Sequence, residues 1–309
     1  MGRTANRITR GRLQQHFAGR APSLVERTVV CPRWPEVLDG FRILHLSDFH
    51  VGELISVEQA TQLVEDLRDI QPNLVAVTGD FIDFHCEGVE PLLTALVTLP
   101  SDLGTWGVLG NHDKITDARR FLKLCREAGL PILLDTSARV SIGGQPLRIS
   151  GIDWDYSVGE VHRAVRHVCH VPPVDVSDCV PDPASSKVVS ASPLASEGER
   201  ADETVGAASS DEPHILLAHH PEAFDAAVPL GVDLVLAGHT HGGQFNLKRT
   251  SQRHGGQHLG LGLLTHRYPW GVYGRGDSCL HVTSGVGSWF PFRVNCPAEV
   301  VLLEIRGPR

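Results

Sequence analysis

Residues 74–83 read Leu74-Val75-Ala76-Val77-Thr78-Gly79-Asp80-Phe81-Ile82-Asp83: a short apolar run with the character of a buried strand, then a glycine, then carboxylates. The same construction recurs at Ile43-Leu44-His45-Leu46-Ser47-Asp48-Phe49-His50, at Gly107-Val108-Leu109-Gly110-Asn111-His112-Asp113 and at Leu234-Val235-Leu236-Ala237-Gly238-His239-Thr240-His241. Ile215-Leu216-Leu217-Ala218-His219-His220-Pro221 follows the same rule. Each strand runs straight into residues able to bind a metal. Strand ends at the carboxyl edge of an α/β sheet are where ligands bind, and these ends can converge there. Glycines at 79, 110 and 238 let the chain turn sharply and bring the next side chain close to an ion.

The elements between these strands set the fold class. Residues 42–47 read as a strand, and Ser56 caps a helix to about residue 70 with Gln59 placed for a capping box. Residues 89–97 read as helix and 106–109 as strand. A further helix over 116–128 is stopped by Gly129 and Pro131. Strand and helix in alternation predict a layered α/β fold. Strand-like runs at 132–134, 147–152, 215–218, 234–237, 280–283 and 300–305 predict a second sheet.

Composition narrows the function classes. The 309 residues hold 28 Lys and Arg against 36 Asp and Glu, a net charge of −8, which leaves no whole-surface positive field for nucleic acid or anionic lipid. No apolar run is long enough to span a bilayer. Seven scattered cysteines without a CxxC pair argue against a disulfide framework and a thiolate zinc site, and predict a cytoplasmic protein. Arg3, Arg7, Arg10, Arg12 and Arg20 come without an acid or a signal-like apolar stretch. Residues 1–39 are therefore read as a basic N-terminal arm and lead-in, and 40–309 as one domain. The arm is the feature that would give peripheral contact with the inner membrane surface. Residues 172–213, rich in Pro, Ser, Ala, Asp and Glu, read as a disordered insertion that interrupts the domain without dividing it.

Singly the polar clusters are weak signals: Asp48 and His50 suit a solvated turn, Asp80 and Asp83 a helix cap, and His219 or His220 a core histidine. Together they are not. Burying several carboxylates and imidazoles at adjoining strand ends without a cation costs several kcal/mol per uncompensated charge, more than a marginally stable fold carries. A mixed carboxylate, imidazole and amide set without thiolate suits Mn, Fe or Zn in a pair.

In this order, DxH at Asp48 to His50, GDxxD at Gly79 to Asp83, GNHD at Gly110 to Asp113, His219 two places before Pro221 and GHxH at Gly238 to His241 resemble the calcineurin-like metallophosphoesterases. The resemblance implies a four-layer α/β/β/α sandwich of two mixed β-sheets with two metal ions at one edge. It implies that Asp48, His50 and His241 hold one ion, Asn111, His219 and His239 the other, and that Asp80 bridges them. His112 would face the substrate as a non-ligand, oriented by Asp113, and His220 would be either a supporting or a structural residue. The reaction implied is attack of a metal-bridging hydroxide on a phosphodiester or pyrophosphate.

Gly242-Gly243-Gln244, Arg267-Tyr268, the run Ser284 to Gly287 and Pro291-Phe292-Arg293 look like a bacterial branch of that family. It includes enzymes similar to UDP-2,3-diacylglucosamine pyrophosphatases, which makes a phosphorylated small molecule or a lipid-linked nucleotide the expected substrate. Arg293 is the expected phosphate partner. Trp289, Phe290 and Phe292 would form either an apolar entrance or core. Two rival readings stand beside this one: a non-catalytic phospho-ligand binding protein on the same fold, and a nuclease using the basic arm. Net charge argues against a stable nucleic-acid complex.

Overall fold

Successive residues of a strand face opposite sides, so a strand that is apolar throughout needs cover on both. The computed structural model, which describes residues 22–115, 117–154, 157–176, 212–244, 266–288 and 293–308, meets that need with two stacked sheets between helical layers. In chain order the first half runs β1 (Ser23–Val30), β2 (Phe41–Leu46), α1 (Val57–Glu65), β3 (Leu74–Thr78), α2 (Glu90–Val97), β4 (Thr105–Val108), α3 (Asn111–Ile115) and α4 (Ala118–Ala128). The second half runs β5 (Thr136–Ile142), β6 (Gln145–Gly151), α5 (Val158–His170), β7 (Val174–Asp175), β8 (His214–Leu217), α6 (Ala223–Ala227), β9 (Leu234–Ala237), β10 (Gly271–Arg275), β11 (Ser278–Val282) and β12 (Glu299–Arg306).

Both sheets are mixed. The first has the order β1-β12-β2-β3-β4, with β2, β3 and β4 parallel and β12 antiparallel to β2. The second has the order β10-β11-β9-β8-β6-β5-β7, with β11, β9, β8 and β6 parallel. Ile43, Leu74 and Ala76 point inward and meet Ile215, Leu217, Leu234 and Leu236 of the second sheet. Their alternates Leu44, Val75 and Val77 point outward under α1, α2 and α4, against Val64, Leu92 and Phe121. On the other side Leu216, Val235 and Ala237 pack on Val165 and Val168 of α5 and Phe224 of α6. The expected α/β/β/α layering is therefore present.

The inner layer also carries polar groups. His45 of β2 and His281 of β11 meet across it with Nδ1 atoms 2.8 Å apart, and His45 Nε2 lies 2.9 Å from Thr78 Oγ1.

Local signals decide the boundaries. Ser56 and Gln59 form the expected capping box, but α1 ends at Glu65 and only a 3-10 turn, Arg68–Ile70, follows. The helix expected over 116–128 is α4, Ala118–Ala128, whose N-cap Asp117 accepts from the Arg120 N–H and whose Gly129 stop is left-handed at φ 79°; the short α3 precedes it. Ile132 makes only an isolated bridge to Gly107, and the strand starts later, at Thr136. The sheet also begins before residue 40. Residues placed by sequence in the lead-in form β1, which pairs in parallel with β12 and ties Arg27 to Glu299 at 2.8 Å. Its solvent-facing polar positions hide the strand from a search for apolar runs. The arginines of the arm, residues 177–211 of the expected insertion, and Trp289, Phe290 and Phe292 lie outside the described residues. Among the described residues no helix is long and apolar enough to cross a membrane.

Candidate metal centre

The parallel strands β2, β3 and β4 of one sheet and β8 and β9 of the other end at the same edge. Asp48 and His50 follow β2, Asp80 follows β3, Asn111 follows β4, His219 follows β8, and His239 and His241 follow β9. The backbone there is wound tightly. Non-glycine residues rarely take positive φ, yet Asp48, His50, Asp80, His239 and His241 have φ of 53°, 47°, 53°, 69° and 49°. Such conformations cost about 1–3 kcal/mol each and persist where the surroundings enforce them, typically at functional sites. Two glycines make the close approach possible. A Cβ at Gly110 would collide with the Asp80 carboxylate, and one at Gly238 with Ser47 and Asp48.

The side chains converge at this edge. Asp80 Oδ2 lies 3.3 Å from His50 Nε2 and 3.2 Å from His219 Nε2, between the two halves of the site. His241 Nε2 is 3.0 Å from His50 Nε2 and 3.5 Å from Asp48 Oδ1. On the other side Asn111 Oδ1 is 3.1 Å from His239 Nδ1, and the His239 and His219 rings are 5.1 Å apart. Three triads bring one ligand atom per residue within 4.8 Å of one another: Asp48, His50 and His241; His50, Asp80 and His112; Asp48, Asp80 and His219.

Hydrogen bonding tests whether this set suits a cation. His219 Nδ1 donates to the Thr78 carbonyl at 2.6 Å, so in the neutral ring Nε2 carries a lone pair, and that lone pair faces Asp80 Oδ2. Nε2 is buried and has no hydrogen-bond partner. A lone pair against a carboxylate in a buried site is unfavourable unless a proton or a metal ion lies between them, and a histidine anchored to a carbonyl through Nδ1 is the usual arrangement for a ligand. The residues therefore fit a metal ion.

The protein groups alone share charge unevenly. Burial opposes the cationic form of His219, but Asp80 outweighs it and raises the pKa to about 9. Burial likewise opposes ionised Asp80, and His219 and His50 hold its carboxyl well below the usual range. Burial pushes Asp48 up. His239 is lowered to about 2 by burial, then by the charges of His219 and His220, and burial and His50 lower His241. Both stay neutral at physiological pH, the state in which imidazole binds metal.

Two side chains are engaged otherwise than expected. Asp113 is fully buried and does not hold the His112 ring. Its carboxylate accepts the backbone N–H groups of Asp80 (2.9 Å), Phe81 (2.8 Å), Ile82 (3.2 Å) and Gly110 (2.9 Å), because the turn after β3 offers donors there. Asp83 holds the ring instead: His112 Nδ1 donates to the Asp83 carbonyl at 2.9 Å and lies 3.1 Å from its Oδ1. Arg293 is turned into the fold and not toward a phosphate. Nε donates to Ser288 Oγ at 3.2 Å, and Nη2 donates to the Ser284 carbonyl at 2.7 Å and lies 3.1 Å from His241 Nδ1. The converging carbonyls of the turn after β11 need a donor, and Arg293 supplies it. Gln244 is likewise engaged, with Ser288 Oγ at 2.7 Å.

Trp154 was invisible in sequence. It follows β6 by a few residues, and its ring sits 4.9 Å from His239, 5.2 Å from His220 and 5.4 Å from His219. The capping box of Ser157 and Glu160 that opens α5 was the available signal that the chain turns back here.

Comparison with known proteins identifies the family. The model of the calcineurin-like phosphoesterase family matches residues 41–243. A Helicobacter pylori protein called an uncharacterized metallophosphoesterase is 27% identical over 85% of this chain and 59% of its own length. A zebrafish (Danio rerio) transmembrane protein with a metallophosphoesterase domain is 25% identical over 94% of this chain and 58% of its own. The Escherichia coli phosphodiesterase YaeI is 23% identical over 86% of this chain and 82% of its own. This chain thus spans less than two thirds of the length of the first two relatives.

Proposed function

Since the chain belongs to the calcineurin-like phosphoesterase family, we propose that it hydrolyses a phosphodiester or pyrophosphate bond with two metal ions. Asp48, His50 and His241 would hold one ion and Asn111, His219 and His239 the other, with Asp80 shared. The observation that carries this reading is the position of Asp80 Oδ2, 3.3 Å from His50 Nε2 and 3.2 Å from His219 Nε2. Manganese, iron and zinc all suit the donor set. Bound there, such ions supply a water of lowered pKa and neutralise charge on the phosphoryl oxygens.

His112 is the proton donor in this reading. Burial works against its cation, but the hydrogen bond to Asp83 and the charge of Asp80 outweigh it and raise the pKa. With Nδ1 committed to Asp83, Nε2 is the nitrogen left to hold a proton for the departing oxygen. Asp113 acts one step back, fixing the turn that presents Asp80.

The relative named a phosphodiesterase supports a diester over a monoester. A lipid-linked nucleotide is the narrower form of the substrate, and the Arg3 to Arg20 segment would then attract the anionic surface of the inner membrane face. The test is turnover of bis-p-nitrophenyl phosphate by protein loaded with Mn²⁺. Hydrolysis that stops on chelation and returns with metal is expected. No hydrolysis by fully loaded protein would favour a phospho-ligand binding protein.

A further inference from the structure

A cavity of about 210 Å³ opens beside the Asn111, His219 and His239 half of the metal centre, lined by Ile152, Asp153, Trp154, Val161, His219 and His220. Resting on the phosphoesterase reading, we propose that this cavity is the subsite for a flat ring carried on the ester, a nucleobase or another aryl group, and that Trp154 selects it.

Position, lining and size carry the inference. The Trp154 ring lies 4.9 Å from His239 and 5.4 Å from His219, so whatever fills the cavity lies next to the metal ligands. Ile152, Val161 and the indole give apolar walls suited to stacking a ring. Among the described lining side chains none is Lys or Arg, which disfavours a second phosphate there. Their one carboxylate, Asp153, is paired with Lys114 Nζ at 2.7 Å and does not repel an anionic ester. His220 is fixed in orientation by the Glu222 carboxylate against its Nδ1. At about 30 Å³ per water-sized group the volume holds roughly seven such groups. That is the size of a substituted six-membered ring.

Two esters with the same leaving group test this: bis-p-nitrophenyl phosphate, with a ring on the retained arm, and methyl p-nitrophenyl phosphate, with a methyl. The ratio of their kcat/KM values should fall at least tenfold in Trp154→Ala and less than threefold in Trp154→Phe, which keeps an aromatic face. An unchanged ratio in Trp154→Ala overturns the subsite. Comparing thymidine p-nitrophenyl phosphate with phenyl p-nitrophenyl phosphate names the ring. The ester that loses more in Trp154→Ala carries the preferred one, and loss with neither overturns the assignment. Should metal-loaded wild type cleave no ester, the hydrolytic reading falls by itself. Calorimetry then decides the subsite: thymidine monophosphate binding tighter than methyl phosphate, with the difference lost in Trp154→Ala, upholds it, and equal binding rejects it.

Discussion

His112 is held by Asp83, 29 positions earlier in the chain, through a 2.9 Å hydrogen bond from Nδ1 to the Asp83 carbonyl. His112→Ala is expected to lower turnover about 10²–10⁴-fold while two metal ions per chain remain by elemental analysis. Asp83→Ala removes the ring's charged neighbour, which also stands 3.7 Å from His50 Nδ1. It should cost about 10–100-fold in activity or metal affinity, measured by kinetics and metal titration. Full activity in His112→Ala would remove it from the chemistry.

Asp113→Ala is expected to destabilise the protein before it affects anything else. Four buried N–H groups lose their acceptor. Leaving a buried donor unmet costs about 1–3 kcal/mol each, without strict additivity, so a loss of more than about 3 kcal/mol is expected in urea unfolding. Asp113→Asn keeps one carbonyl acceptor and should lose less.

Gly110→Ala and Gly238→Ala should separate metal binding from folding. The added methyl group has no room beside Asp80 in the first case or beside Ser47 and Asp48 in the second. Metal content by elemental analysis is expected to fall well below that of the wild type, with far-ultraviolet circular dichroism retained. Normal metal content in both variants would contradict the close approach.

Stability should fall in mild acid through histidines outside the metal centre. Burial lowers His45 to about 3, and burial with the charges of Arg148 and Arg33 lowers His214 to about 3, from the ordinary imidazole value of 6.5. Between about 3 and 6.5 the unfolded chain binds protons at these sites that the fold does not, so their contribution is whole above 6.5 and drains away as pH falls. From about pH 7.5 to 5.5 the pair should cost about 2–3 kcal/mol, read from urea midpoints. His214→Gln should roughly halve the slope, and a flat midpoint over that interval would refute the assignment.

Legibility followed burial on both faces. β3 and β9 were found to the residue because every side chain in them is apolar or small, whereas β1 and β10 lie at sheet edges with mixed patterns. The convergence of the seven side chains at one edge was readable because turn glycines and apolar strands fix where each side chain emerges. The partners of His112 and Arg293 were not. Asp113 adjoins His112 in sequence, but the direction of a carboxylate depends on which N–H groups surround it in space. Trp154 reaches the centre from β6, whose end shows no polar motif.

The seven proposed donors come from opposite halves of the sandwich: Asp48, His50, Asp80 and Asn111 from the first sheet, His219, His239 and His241 from the second. An ion held by them would be gripped from both sides and act as a rivet. A slip of one sheet past the other by a single residue, about 3.3 Å, would carry half the donors out of bonding range. Resistance to shear at that open edge and affinity for the ion are then one mechanical property, set by the same seven side chains.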